Sequence, residues 1–175
     1  NIMVGGLPVK KDNPLNYRIV FSVNGLINEY IEDCIVLENH QIALKKPLED
    51  LERVFFPEPF GELEAFNTSG GSSTLPYSLQ HKLRDISYKT IRYKGHRDLI
   101  RAMIELGFAS ECPNTLNGIT KTNRELFEIL LSSSLKTTLD DVILAKITLS
   151  DDRSIIEAEL IKYNDKDNNL SAMMM

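Results

Sequence analysis

Four basic side chains, Arg92, Lys94, His96 and Arg97, crowd one short stretch of the chain. An arginine offers a planar fork that can grip a carboxylate or phosphate through two parallel hydrogen bonds. If a helix begins beside it, the free N–H groups and partial positive charge of that helix start favour the same anion. The corner is therefore a candidate anion seat, although basic groups at such corners are often only solvated. A second stretch, Thr68-Ser69-Gly70-Gly71-Ser72-Ser73-Thr74-Leu75-Pro76-Tyr77, combines glycines with hydroxyls. Its glycines would let backbone amides approach a polar ligand closely, and its hydroxyls could donate or accept hydrogen bonds. On the residues alone, an ordinary flexible loop leading into a helix is the favoured reading. It is not a nucleotide phosphate loop, because no Gly-Lys-Ser/Thr follows.

Positioning the first cluster requires a strand, a break and a helix. Ile86 to Tyr93 alternates two unlike faces and is rich in β-branched and aromatic residues, which predicts a strand. Gly95 breaks it. From His96, the residues Leu99, Ile100, Met103, Ile104 and Leu106 recur at helical spacing, and Gly107 is placed to cap the helix. A second helix is predicted from Val23 to Ile31, where Val23, Leu26, Ile27, Tyr30 and Ile31 share a face and Ser22 can serve as N-cap. Tyr17 to Ser22 reads as a short strand or the lead-in to that helix.

The remaining elements follow in order. Ile2–Val4 is a short strand running into Gly5-Gly6-Leu7-Pro8, and Lys10 to Pro14 is a polar loop. Cys34–Leu37 and Gln41–Leu44 form a hairpin about Glu38-Asn39-His40. Pro47 to Leu51 reads as a short helical turn. Val54–Phe56 and Leu63–Phe66 are strands joined by a proline-stiffened loop, and Leu75 to Leu83 is a helix. Ala109 to Asn123 reads as a turn-rich connection. A helix capped by Thr122 or Asn123 carries Leu126, Phe127, Ile129, Leu130 and Leu131 on its apolar side. Asp141–Ser150 is apolar on both faces, as in a strand inside a sheet, and turns back into Ile155–Tyr163. Leu170 to Met175 reads as the first turn of an apolar helix. These elements predict one α+β domain over residues 1–175, a mixed, largely antiparallel sheet with helices packed on one face.

Composition narrows the function. With 175 residues, 42% of them hydrophobic, the chain can build a real core. A net charge of -5 opposes nucleic-acid or anionic-membrane binding, even with the basic stretch Lys89 to Arg97. No apolar run approaches the roughly 20 residues a membrane span needs. Cys34 and Cys112 have no metal-ligand spacing and read as reduced thiols of a cytoplasmic protein. No dinucleotide fingerprint, nucleophile elbow or metal cluster is present, so no cofactor, metal or catalytic residue is assigned within this chain. The apolar opening at Ile2-Met3-Val4 and the close at Met173-Met174-Met175 read as cuts in a longer protein.

Several motifs together carry a family resemblance: Gly5-Gly6-Leu7-Pro8, Asn13-Pro14-Leu15-Asn16-Tyr17, the run Phe21 to Tyr30, and Tyr88-Lys-Thr-Ile-Arg-Tyr-Lys-Gly-His96. With them the chain resembles the saccharopine dehydrogenase family, and within it the lysine 6-dehydrogenase-like branch. The resemblance implies the second domain of a longer NAD- or NADP-dependent amino-acid oxidoreductase. Such a domain supplies the substrate site and dimer interface, while an N-terminal Rossmann domain, absent here, binds the cofactor. The fragment alone would then be inactive. By position, Arg92 resembles the family arginine that holds a substrate carboxylate, and Ser22 the substrate-contacting hydroxyl. Tyr17, Asn24, His96 and Thr74 are the further substrate-binding candidates. The competing expectation is a freestanding ligand-binding or assembly module without enzymatic activity.

Overall fold

In the computed structural model of the chain, the described residues are all of 1–175 except 73, 136–139, 169 and 175. A six-stranded sheet organises them. Its strands are β1 (Ile2–Pro8), β4 (Glu52–Phe56), β5 (Gly61–Asn67), β6 (Tyr88–Tyr93), β9 (Asp141–Ser150) and β10 (Ile155–Tyr163), in the order β10-β9-β1-β6-β5-β4. Only the central pair, β1 and β6, is parallel, with Ile2 opposite Tyr88 and Val4 opposite Thr90. Every other neighbouring pair in this sheet is antiparallel. Two hairpins stand apart, β2 (Cys34–Glu38) with β3 (Gln41–Lys45) and β7 (Pro113–Leu116) with β8 (Ile119–Thr122).

The period-two alternation of strands gives each sheet face its own core. Met3, Leu7, Leu63, Ala65, Ile91, Tyr93, Val142 and Leu144 pack together on one face, joined by Phe60 from the β4–β5 turn. The sheet curls around this cluster: the Phe60 ring lies 6.2 Å from Tyr163 at the end of β10, and the Tyr93 hydroxyl donates to the Pro8 carbonyl at 2.9 Å. The opposite face presents Phe66 to a second core, built from helices α1 (Val23–Ile31), α3 (His96–Glu105) and α4 (Asn123–Ser134). Leu26, Ile27, Tyr30, Ile100, Phe127, Leu131 and Leu135 fill it. By the same register Thr90 and Arg92 point towards the helices.

Local chemistry sets the helix starts. Ser22 caps α1, its Oγ accepting from Gly25 N at 3.0 Å, as its residue type predicts. A reciprocal Thr122–Glu125 capping box begins α4. Gly107 takes the left-handed conformation after α3, φ +87°.

Some elements differ from the sequence reading. Pro47 to Leu51 is not helical, because Leu48 and Asp50 both adopt positive φ, at 61° and 52°. The helix α2 spans only Leu75–Leu79, and the chain continues to Leu83 in turns. Ala109 to Asn123 contains the β7–β8 hairpin, whose Asn117 and Gly118 both have positive φ. Of the two readings of Tyr17 to Ser22 the lead-in to α1 holds and the strand does not, and the apolar terminal stretch makes a short 3-10 turn at Ala172–Met174. On α4, Phe127 and Leu131 of the apolar side are buried, while Leu126, Ile129 and Leu130 are exposed.

At the parallel pair, a Cβ on Gly5 would drive into the Ile91 backbone carbonyl, whereas one on Gly6 would meet only the flexible side chain of Met173. Gly5→Ala should therefore destabilise the fold by about 1–3 kcal/mol, with Gly6→Ala distinctly milder. Chemical unfolding of the two variants against the parent chain measures the difference.

Candidate functional site

On the helix side of β6, Arg92 is 3% exposed, so the groups that satisfy its guanidinium define the site. Nε–H donates to the Tyr30 hydroxyl at 3.1 Å, and Nη1–H donates to the Ile91 carbonyl at 2.9 Å. The Tyr17 ring lies 4.8 Å from the guanidinium carbon, a cation–π distance. Glu29 Oε2 stands 3.8 Å from Nη2, beyond hydrogen-bonding reach.

The Tyr30 hydroxyl also lies 3.0 Å from His96 Nε2, and His96 Nδ1 lies 2.9 Å from the Leu15 carbonyl. A carbonyl can only accept, so Nδ1 carries the imidazole proton and Nε2 accepts from Tyr30. A one-way relay results: Arg92 donates to Tyr30, Tyr30 to His96, and His96 to Leu15. Burial, followed by the neighbouring Arg92 charge, pushes the His96 pKa down to about 3, which keeps the ring neutral as the relay requires. Burial likewise raises the Tyr30 hydroxyl, keeping it a donor.

Three sequence segments assemble this arrangement. The Asn13 side chain accepts from Leu15 N and Tyr17 N and donates to the Tyr17 carbonyl, at 3.1, 3.3 and 2.8 Å. That cage fixes the Leu15 carbonyl under His96 and the Tyr17 ring against Arg92. The apolar face of α1 seats Tyr30 and brings Glu29 alongside. The Thr68–Ser72 segment closes the wall: Thr68 and Thr90 hydroxyls meet at 2.6 Å, and Ser69 N donates to the Glu29 carbonyl at 3.0 Å. Gly71 lies so close to the Tyr88 ring that any Cβ there would overlap it. The Glu29 side chain is 28% exposed while that of Arg92 is 4% exposed.

Of the residues singled out by sequence, Arg92, His96 and Tyr17 converge here. Ser22 and Asn24 are exposed at the opposite end of α1: Ser22 is the cap, and Asn24 Nδ2 donates to Glu128 at 3.0 Å. At 1.5 Å per residue the helix carries Ser22 roughly 12 Å from Tyr30. Thr74 is exposed at the start of α2, where its carbonyl accepts from Ser78. The α3 start, expected to seat an external anion, already holds one: Glu64 from β5 accepts from Gly95 N at 2.8 Å and Arg97 N at 2.7 Å. Sequence reasoning missed Glu29, Tyr30 and Glu64 as site residues. Strand alternation places Glu64 on the same face as Arg92, and the Phe66 beside it marks that face as inward.

A family model described as the saccharopine dehydrogenase C-terminal domain matches residues 1–175. The chain belongs to this family. Among solved structures it is similar to apo histidine-tagged saccharopine dehydrogenase (L-Glu forming) from Saccharomyces cerevisiae, with a TM-score of 0.67 and 15% identity. At that identity the likeness shows the fold alone. The match covers 98% of this chain and 54% of that one, so the chain spans about half the length of the yeast protein. Among the described residues of this saccharopine dehydrogenase C-terminal domain, no group of three or more His, Cys, Asp or Glu side chains is placed to hold a metal. No helix among them is long and apolar enough to cross a membrane. Cys34 and Cys112 are both free, and burial, with Asp33 nearby, pushes the Cys34 thiol up to about 12.

The neutral His96 has a pH signature. The unfolded chain takes up a proton near pH 6.5, whereas the native ring resists until about 3. Its contribution is present in full above pH 6.5 and is lost as pH falls through that window, by up to about 1.4 kcal/mol per pH unit. Glu29, raised by burial, shifts stability in the opposite sense. Urea unfolding at stepped pH, compared between the parent chain and His96→Asn, removes that common term. The variant is expected to be less stable at pH 7 and to lose the His96 slope.

Proposed function

We propose that this chain is the substrate-binding and dimerisation domain of an NAD(P)-dependent amino-acid oxidoreductase of the saccharopine dehydrogenase type. The reading extends to the lysine 6-dehydrogenase-like branch, acting on a CH–NH2 or CH–NH donor. What carries it is the half-satisfied guanidinium of Arg92, gripped on one edge by Tyr30 and Ile91 while Nη2 makes no hydrogen bond to a described residue. A buried fork of this kind suits a substrate carboxylate, which would complete its hydrogen bonds in a site poor in water.

In this reading Arg92 binds the carboxylate, and Tyr30 and His96 hold the guanidinium plane at a fixed angle. Tyr17 supplies the aromatic wall behind it. Ser22, Asn24 and Thr74 lie further out, where they would meet more distant parts of a ligand. Hydride acceptance belongs to a nicotinamide held by an N-terminal Rossmann domain outside this chain. The free thiols support a cytoplasmic setting.

A bare strip on the helix side of the sheet supports dimerisation. Ile147 and Leu149 on β9 and Ile156 and Leu160 on β10 share that face by register and are exposed. Contiguous exposed apolar side chains of this kind mark interaction surfaces. Light scattering of the chain should give twice its 19.9 kDa, and Leu160→Lys should return it to a monomer. A monomeric parent chain at high concentration would contradict the dimer.

Calorimetric titration tests the site. L-lysine or saccharopine should bind and NAD or NADP should not. Arg92→Gln should weaken amino-acid binding by about 1.5–3 kcal/mol, the worth of a charged hydrogen bond. Micromolar dinucleotide binding would overturn the assignment of the cofactor to another domain.

A further inference from the structure

Beside Arg92, the carboxylate of Glu29 is partly open to solvent, its side chain 28% exposed. A carboxylate free to pair with a guanidinium closes to about 2.7–2.9 Å, yet Glu29 Oε2 stops at 3.8 Å from Nη2. No donor among the described residues hydrogen-bonds to it, although the side chain is mostly removed from solvent. The α1 backbone here is held by its Ser22 cap and by Ser69 N, which donates to the Glu29 carbonyl. A third group in the same place lacks a partner. The Tyr17 hydroxyl is buried with no hydrogen bond among the described residues, and it feels the charges of both Arg92 and Glu29.

These three free valences have a pattern. Arg92 Nη2 offers a donor, Glu29 an acceptor of full negative charge, and Tyr17 a hydroxyl that can do either. A lone carboxylate ligand would satisfy Arg92 and Tyr17 but would face repulsion from Glu29. A head group carrying an ammonium and a carboxylate on one carbon satisfies all three, the ammonium donating to Glu29 and the carboxylate accepting from Arg92 and Tyr17. A lone amine would leave Arg92 without its anion.

We propose that Glu29 is a specificity-determining residue that reads the α-ammonium beside Arg92, so that the site takes the zwitterionic head of an α-amino acid and discriminates against plain carboxylates. This rests on the reading of Arg92 as the carboxylate anchor. Glu29, the more exposed of the pair, takes the ammonium, and Arg92, buried beside it, takes the carboxylate and fixes its orientation. The opposite charges also leave the pair nearly neutral, so a zwitterion enters without a net charge being buried.

L-norleucine and hexanoate test this, since they differ only by the α-ammonium. Calorimetric titration of the 175-residue chain at pH 7 should show norleucine binding at least tenfold tighter than hexanoate. Glu29→Gln, of the same shape, should weaken norleucine about tenfold or more and leave hexanoate unchanged or tighter. Glu29→Asp, which withdraws the carboxylate by one methylene, should lose only part of the preference, and an unchanged thermal midpoint in both variants shows intact folding. Equal binding of the two ligands by the parent chain, or an equal loss of both in Glu29→Gln, overturns the role of Glu29 while leaving the Arg92 anchor standing. Failure of the parent chain to bind either ligand overturns both.

Discussion

A guanidinium cannot be neutralised at any ordinary pH, so burying one obliges the fold to surround it with acceptors and π-faces. Arg92 imposes that obligation at the centre of the sheet, and much of the surrounding structure answers it. Tyr30 supplies an acceptor from α1, the β6 backbone supplies another, and the Tyr17 ring covers a face. The second shell follows from the first. Tyr30 can accept from Arg92 only if its own proton goes elsewhere, and His96 takes it because its other nitrogen is tied to Leu15. The Asn13 cage exists where it does because that carbonyl has to be held still. What remains without a hydrogen bond to a described residue is Nη2, opposite Glu29.

The sheet that carries Arg92 is arranged unevenly. One face curls on itself and encloses its apolar side chains, so it needs no covering layer. The other is covered by helices over β5 and β6 and left bare over β9 and β10. Arg92 lies near the boundary between the covered and the bare part, next to β1, where Gly6 has no side chain and Met173 lies over it.

Much of this was legible before the structure. The β6–Gly95–α3 unit, α1 with its Ser22 cap, the 34–45 hairpin and the β9–β10 pair all carry strong periodicity or explicit capping residues, and they form where expected. The misses have local causes. The 113–122 hairpin carries mostly exposed side chains, so no hydrophobic alternation marks it; its signal was Asn117-Gly118, a pair suited to two positive φ angles. The turn at 47–51 depends on Leu48 and Asp50 in left-handed conformations, which tertiary packing enforces and propensity does not foresee. In the site, residue type alone pointed to Arg92 and His96. Tyr30 looked like one more apolar contact on a helix face, and Glu64 like one more strand residue. Their roles depend on partners 62 and 31 positions away in the chain, and one sequence does not show such pairings.

The central claim is that the open edge of the Arg92 guanidinium is a ligand anchor and not merely core filler. Isotope-selective labelling of arginine allows its side-chain N–H signals to be followed by NMR, and Arg92 is identified by the signal missing from Arg92→Lys. On addition of an excess of L-lysine, the account predicts a marked shift of the Arg92 Nε–H and Nη–H resonances, with the exposed arginines unmoved. Arg92 signals that stay in place while lysine perturbs another part of the chain, or perturbs nothing, would contradict it.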